Sequence, residues 1–357
     1  MKAAVVKSNS IIEIKTVEKP SLGAYDILVK MQACGICGSD VEKVFLKYGQ
    51  PSMRLGHEPA GIITQVGSKV SNFNIGDRVF THHHVACYSD DCHECNHGNE
   101  TMCKKYYTSN LEPCGLADEY IVPAWNLEHG GVLKIPDDMS FEEAAMIEPL
   151  ACCIRAWNKF NHHKRDSAAI LGVGPTGIMH AILAKFFGFG KVFCLDLNDY
   201  RLRFATTMYE EFLGPGVALH KFEIITIRSD NPDALEQIKS ETTNEGVDVV
   251  IVATSSLKAL QDAINFVSKG GTIVMFGVPS KGAMIDLDMD KIYSKEINIV
   301  SSYAASDFDT KDALEKISSK KIRVKQLITH RYNLDESQKA FEHAKTGKDA
   351  MKIIINN

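Results

Sequence analysis

No stretch of this 357-residue sequence approaches the ~20 consecutive apolar residues that a bilayer-crossing helix requires. The opening MKAAVVKSNSIIEIK has neither the apolar core nor the small-residue cleavage site of a secretory leader, so the expected compartment is the cytoplasm. No charge of one sign dominates. A formal net charge of −5 gives no footprint for nucleic acid or for an anionic membrane surface. Internal repeats and low-complexity tracts are missing as well. What remains is a composition 45% hydrophobic, enough over this length to bury full cores in two domains.

Cysteine, by contrast, is plentiful. Ten are present, and four of them crowd into 87-CYSDDCHECNHGNETMC-103. Such a cluster is a disulfide knot, a redox switch or a metal site. A large chain in a reducing compartment does not need disulfides, and clustered thiols there more often ligate metal.

The texture of the chain changes along its length. Residues 1–80 hold short β-rich runs (AAVV, DILVKM, AGIITQVG), and 61-GIITQVGSKV-70 with 75-IGDRVF-80 predicts a hairpin. Helical periodicity starts at 141-FEEAAMIEPLACCIRAWNKF-160. From residue 168 strand and helix alternate: AAILGVG, PTGIMHAILAKFFG, KVFCLDL, then GVDVVIVAT, SLKALQDAINFVSKG and 271-GTIVMFGV-278. Fully apolar strands separated by helices predict an α/β fold with a parallel sheet covered on both faces. After about residue 295 short elements return and end in MKIIIN.

Gly172, Gly174 and Gly177 form GxGxxG between a buried-type strand and a helix. The first permits a tight turn, the second lets the backbone approach a pyrophosphate, and the third allows close helix–strand packing. Pro175 and Thr176 open the helix, whose free N–H groups suit a phosphate. Asp196 closes the next strand 19 residues after Gly177, placed to accept from ribose hydroxyls and to repel a 2′-phosphate. NAD is therefore expected over NADP, with nearby Arg201 partly offsetting that bias. Gly277 and Val278, at the end of a later strand, are further dinucleotide candidates.

The segments 33-ACGICGSDVEKV-44, 55-LGHEPAG-61 and 147-IEPLA-151 supply a thiolate at Cys37, an imidazole at His57 and carboxylates at Glu58 and Glu148. All are zinc ligand types. Cys34 and Cys37 also make a CxxC, but the thioredoxin-like βαβ context of a redox pair is not evident around them.

Together, GICGSD, GHE, IEPL, GVGPTG and the cysteine loop resemble the zinc-dependent medium-chain alcohol dehydrogenases, in the sorbitol (polyol) and threonine dehydrogenase branch. The resemblance spans essentially the whole chain. It implies a GroES-like catalytic domain from residues 1–154 and 295–357, a Rossmann domain from 155–294, and an active site in the cleft between them. It also implies catalytic zinc on Cys37, His57 and Glu58, with Glu148 as a fourth ligand or as holder of the metal's water. Ser39 would take the alcohol proton, Asp40 would orient the His57 ring, and Glu42 stands where the family commonly places a relay histidine. The implied reaction is hydride transfer between a secondary alcohol, most plausibly a polyol or sugar, and NAD.

The family's lobe has cysteines spaced C-x2-C-x2-C-x7-C around a structural zinc. Cys92, Cys95 and Cys103 match the last three, while Cys87 sits two residues too early and is expected to complete the site through a loop extension. Asp90 or Asp91 is the alternative fourth ligand. Ser301, Ser302 and Tyr303 would line the substrate cleft, and side chains near 42–54 and 112–120 would set specificity. His82, His83 and His84 are expected at the surface or between domains, because neighbours on a strand face opposite ways. Cys152 and Cys153 are expected in the core, and Cys114 carries no functional reading. The partners expected are a small alcohol or ketone and further copies of the chain, as dimer or tetramer. A threonine or amino-alcohol dehydrogenase is the alternative enzyme, and a non-catalytic zinc- and dinucleotide-binding protein the alternative of another class.

Overall fold

Strands buried on both faces mark the second of two compact units. Ser167–Leu171 is buried at every position and Val247–Val252 at all but one, as their unbroken apolar character demands. The computed structural model describes residues 1–7, 10–47, 54–162, 165–208, 212, 222–243 and 245–357. Its two units comprise Met1–Ala151, Ala305–Ser319 and Leu327–Asn357 in the first, and Cys152–Ala304 with Lys320–Gln326 in the second.

The second unit is built on six parallel strands. Across the sheet they run Glu223–Arg228, Lys191–Asp196, Ser167–Leu171, Val247–Val252, Val267–Met275 and Asn298–Ser301. Numbered along the chain this is the order 3-2-1-4-5-6, in which the sheet is wound outward in both directions from its first strand. Phe193, Leu195, Val250, Ile264 and Ile273 form its core. Two expectations are corrected. Asn298–Ser301 lies past the anticipated boundary at 295 yet pairs with Val267–Met275 as the sixth strand. Residues 267–270, expected to extend a helix, begin that fifth strand instead. The helix Leu257–Phe266 stops at Val267, whose backbone is extended and pairs with Val247. Strand pairing here overrides the local helical pattern.

The first unit holds a mixed sheet in the order Ile328–Asn333, Lys352–Asn356, Ile27–Gly35, Glu58–Val66, Arg78–Thr81 and Val132–Lys134. Glu119–Val122 also pairs with Ile27–Gly35. The expected hairpin is present, with Ala60, Gly61 and Ile62 opposite Phe80, Val79 and Arg78. Lys352–Asn356 runs antiparallel to Ile27–Gly35, with Ile354 opposite Gly35. Ile27, Val29, Met31, Ile63, Val79, Tyr120 and Ile353 fill the core. No helix among the described residues is long and apolar enough to cross a membrane. Of the segment 42–54, residues 48–53 lie outside the described residues.

Candidate active site

One short helix and one strand start build the first cluster. Cys37 precedes the helix Gly38–Glu42, and His57 and Glu58 lead into the strand Glu58–Val66. One ligand atom from each of Cys37, His57 and Glu58 lies within 4.8 Å of the others. His57 Nδ1 meets Asp40 Oδ2 at 3.0 Å, and the Gly56 N–H donates to the same oxygen at 3.0 Å. Lys43 Nζ donates to Asp40 Oδ1 at 2.7 Å. Asp40 is wholly buried; burial works against its charge, but His57 and Lys43 hold its carboxyl well below the usual range. Burial likewise opposes a charged His57, yet the Asp40 carboxylate and the Cys37 sulfur hold the imidazole well above its ordinary value. With Nδ1 committed to Asp40, Nε2 is the ring nitrogen left for a ligand. The Ser39 hydroxyl donates to Cys37 Sγ at 3.4 Å, and Glu42 is half-buried at the end of the same short helix.

Glu58 is fully buried, and its Oε1 has no hydrogen-bond partner among the described residues. A buried carboxylate oxygen without a partner costs stability unless a cation takes it up. A thiol, an imidazole and this carboxylate together fit a zinc ion. Glu148 is buried in the first turn of Ile147–Asn158 but does not belong to that group of ligand atoms. Sequence reasoning missed Lys352, whose Nζ is ion-paired with Glu58 Oε2 and donates to the Ile36 carbonyl at 3.1 Å. Its only trace in the sequence is one lysine opening the apolar run KIII.

The histidine run needs correction. His82 is 1% exposed, and His83 and His84 are half-buried, with the His83 ring 5.1 Å from that of His57. The strand ends at Thr81, so the alternation assumed for 82–84 does not apply. Burial pushes His82 down to about 3 and His84 to about 4, and the neighbouring histidines push the same way. Among the described residues, neither ring nitrogen of His82 has a hydrogen-bond partner. Between an unfolded value near 6.5 and about 3, the unfolded chain takes up a proton that the folded site refuses. Stability therefore falls as pH falls through that window. The His82→Phe variant should lose about 2 kcal/mol less than the wild type between neutral pH and about pH 5. Urea unfolding at the two pH values checks this, and equal losses in both proteins would acquit His82.

A second cluster joins Cys87, Cys92, Cys95 and Cys103, again with ligand atoms within 4.8 Å. Sulfur separations of 3.5 Å (Cys103–Cys87), 3.8 Å (Cys92–Cys103) and 4.0 Å (Cys87–Cys95) are those of free thiols, which removes the disulfide knot. Cys87 thus takes the fourth place in this group, which Asp90 and Asp91 do not enter. The Lys105 N–H donates to Cys103 Sγ at 3.3 Å. A third group, His330, His343 and Asp349, is already satisfied internally. His343 Nε2 meets Asp349 at 2.7 Å and its Nδ1 bonds the Tyr332 hydroxyl at 2.8 Å. Cys153 is buried and Cys152 half-buried, while burial pushes the enclosed Cys114 thiol up to about 12.

In the second unit the glycine turn follows the strand Ser167–Leu171. Gly172 has φ +91°, and a Cβ on Gly177 would collide with the Gly172 carbonyl, so the helix Pro175–Phe186 sits directly on the turn. Asp196 Oδ2 accepts from the Val173 N–H at 2.8 Å, and Oδ1 from the Asn198 N–H at 2.9 Å. The carboxylate braces the turn and keeps lone pairs for further donors. Arg201 Nη1 stands 3.8 Å from Asp196 and beside Gly174. Thr176 lies in the first helical turn, and its carbonyl accepts from the Cys153 thiol. The Gly277 N–H donates to the Val252 carbonyl at 2.8 Å, and Val278 and Tyr303 are exposed. Ser301 ends the sixth strand, and the Ser302 N–H donates to the Met275 carbonyl at 3.1 Å.

Two family profiles match the sequence: the alcohol dehydrogenase GroES-like domain over residues 23–137 and the zinc-binding dehydrogenase over residues 175–319. The chain is 34% identical to the sorbitol dehydrogenase of Bacillus subtilis, over 99% of its own length and 97% of the relative's. It is 30% identical to an L-threonine 3-dehydrogenase of Yersinia enterocolitica, over 100% and 99% of the two chains. Among solved structures, a protein of Sinorhizobium meliloti described as a zinc-binding dehydrogenase and bound to NADP is 25% identical. It superposes with a TM-score of 0.83 over 100% of this chain and 99% of that one.

Proposed function

Because the chain belongs to the zinc-binding alcohol dehydrogenase family, we propose that it moves hydride between a secondary alcohol, a polyol or sugar by preference, and NAD. The observation that carries this reading is the convergence of Cys37, His57 and Glu58 around a carboxylate oxygen that has no hydrogen-bond partner among the described residues. Zinc bound there would supply Lewis acidity toward the reacting oxygen. Asp40 holds His57 in the tautomer that presents Nε2 to the metal. Ser39, beside Cys37, receives the alcohol proton, and Glu42 is the next group in its helix able to pass it on. Glu148 acts as a nearby anion rather than as a member of the ligand group.

The glycine turn at 172–177 takes the pyrophosphate through free amides at the start of Pro175–Phe186. Asp196 accepts from ribose hydroxyls and disfavours a 2′-phosphate, with Arg201 softening the preference. Gly277 and Val278 contact the cofactor farther along. The unit holding Cys37 is catalytic and the parallel-sheet unit binds the dinucleotide. Cys87, Cys92, Cys95 and Cys103 hold a second, structural zinc. A reducing, cytoplasmic setting and assembly with further copies belong to the same reading.

The test uses zinc-replete protein, polyols, sugars and threonine as substrates, and NAD and NADP in parallel, followed by absorbance of the reduced cofactor. Polyol oxidation with NAD, favoured at least about tenfold over NADP, is the expected result. Turnover of threonine alone would favour the amino-alcohol reading, which the likeness to threonine dehydrogenases supports. Bound zinc with no turnover on any alcohol or ketone would leave a non-catalytic binding protein.

A further inference from the structure

A third convergence of ligand-type side chains stands at the edge of the first unit's sheet, away from the two clusters already assigned. Ile328–Asn333 is the edge strand, and a strand's period of two puts His330 and Tyr332 on one face. The helix Ser337–Thr346 brings His343, in its last turn, against both of them. The rings of His330 and His343 lie 4.3 Å apart with their planes at 71°, edge to face rather than stacked. Gly347, at φ +53°, ends the helix in a left-handed turn, and the chain folds back to set Asp349 beside His343. One ligand atom from each of His330, His343 and Asp349 lies within 4.8 Å of the others.

Hydrogen bonds decide which atoms are on offer. His330 Nδ1 is 3.0 Å from Thr329 Oγ1, and His343 Nδ1 is 2.8 Å from the Tyr332 hydroxyl. Each ring has its Nδ1 engaged by a hydroxyl, which leaves Nε2 for a metal. Outer partners orient ligating imidazoles in this way. His343 Nε2 lies 2.7 Å from Asp349 Oδ1. An ion ~2.0–2.1 Å from each atom would hold them about 3 Å apart. Asp349, with its side chain 66% exposed, has room for that small opening. The His343 proton then sits on Nδ1, and Tyr332 accepts instead of donating, as a hydroxyl can. Nearby ammonium groups do not compete for the carboxylate: Lys345 lies over the Phe45 ring and Lys352 on Glu58.

We propose that His330, His343 and Asp349 form a third metal site, which takes a borderline divalent cation such as zinc in exchange for the His343–Asp349 hydrogen bond. Two imidazoles and a carboxylate suit that class of ion, and three protein ligands leave positions for water, so the ion exchanges readily. Bound there, it ties the edge strand and the helix to the turn that leads into Lys352–Asn356. Thr329, beside His330, already accepts from the Met351 N–H at 3.0 Å in that turn. The site shares no residue with the Cys37 cluster or the cysteine lobe.

The test adds zinc chloride to the full chain after its tighter sites have been filled, and follows uptake by equilibrium dialysis and the thermal unfolding midpoint. One further zinc per chain is expected, with a roughly micromolar Kd. The midpoint should rise with zinc concentration. His330→Gln and Asp349→Asn should each weaken this step at least about tenfold, remove the rise, and keep the metal bound beforehand. Asp349 is exposed, so its variant decides the matter even should His330→Gln fold poorly. His97→Gln is the control, because His93 and His97 stack with ring centroids 4.2 Å apart and make a competing histidine pair. It should leave the step unchanged. No further uptake at about 100 µM zinc overturns the proposal, as does uptake that Asp349→Asn leaves intact or that His97→Gln removes. Failure of the Cys37 site would instead lower the metal bound beforehand by one per chain and leave this step in place.

Discussion

Replacing Cys37 by alanine should remove one zinc per chain and lower kcat/KM by roughly 10³–10⁴, the rate equivalent of the several kcal/mol that a Lewis acid supplies. Cys37 is the one soft sulfur donor in its group. Without it the metal would depend on His57 and on Glu58, half of which Lys352 already holds. Far-ultraviolet dichroism and the lobe's own metal should be unaffected, since Cys87, Cys92, Cys95 and Cys103 form a separate group. Metal content per chain and steady-state kinetics on the same preparation provide the measurement. Activity within about tenfold of wild type would show that the reaction does not run through this cluster.

The second large effect concerns stability. Cys103 is buried, its sulfur lies within 3.8 Å of both Cys87 and Cys92, and the Lys105 amide donates to it. Burial and the crowding of neighbouring sulfurs push the Cys87 and Cys95 thiols up, a cost that a bound cation would offset. Segment 87–103 has little regular structure, with only His93–Asn96 and Glu100–Met102 helical. Such a loop would draw its folded state from a metal held by the four cysteines. Cys103→Ala should therefore cost of order 4 kcal/mol or more, expose 87–103 to proteolysis, and mimic exhaustive chelation of the wild type. Thermal unfolding and limited proteolysis read both outcomes. Unchanged resistance of the segment would mean that packing holds the lobe, for instance Tyr88 against Phe308.

Much of this was legible in the residues. Uninterrupted apolar runs at 168–171 and 249–252 encode strands covered on both faces, and the glycine turn with its downstream Asp196 encodes the nucleotide crossover. Cys37, His57 and Glu58 could be picked out because their chemistry is specified within a few positions of motif. What could not be read depended on where distant segments come to rest. Lys352 contacts a carbonyl 316 positions away, and its burial follows from the missing side chain at Gly35 on an adjacent strand. The alternation that would turn His82 outward ends at Thr81, where the strand stops. Glu148 was expected as a fourth ligand or as holder of the metal's water, and the sequence did not show that its helix leaves it outside the 4.8 Å group. Val267 continues the local helical pattern, yet a partner at Val247, invisible locally, draws it into a sheet.

The strand Lys352–Asn356 lies inside the first unit's sheet, between Ile328–Asn333 and Ile27–Gly35. During synthesis the parallel-sheet unit can acquire its own strands while those residues are still untranslated. The nascent sheet around Glu58 must wait, with a gap along the Ala33–Gly35 end of Ile27–Gly35 and an unneutralised acid beside it. Any pause or truncation late in translation would leave that gap as an open template for chaperones or for another chain's strand.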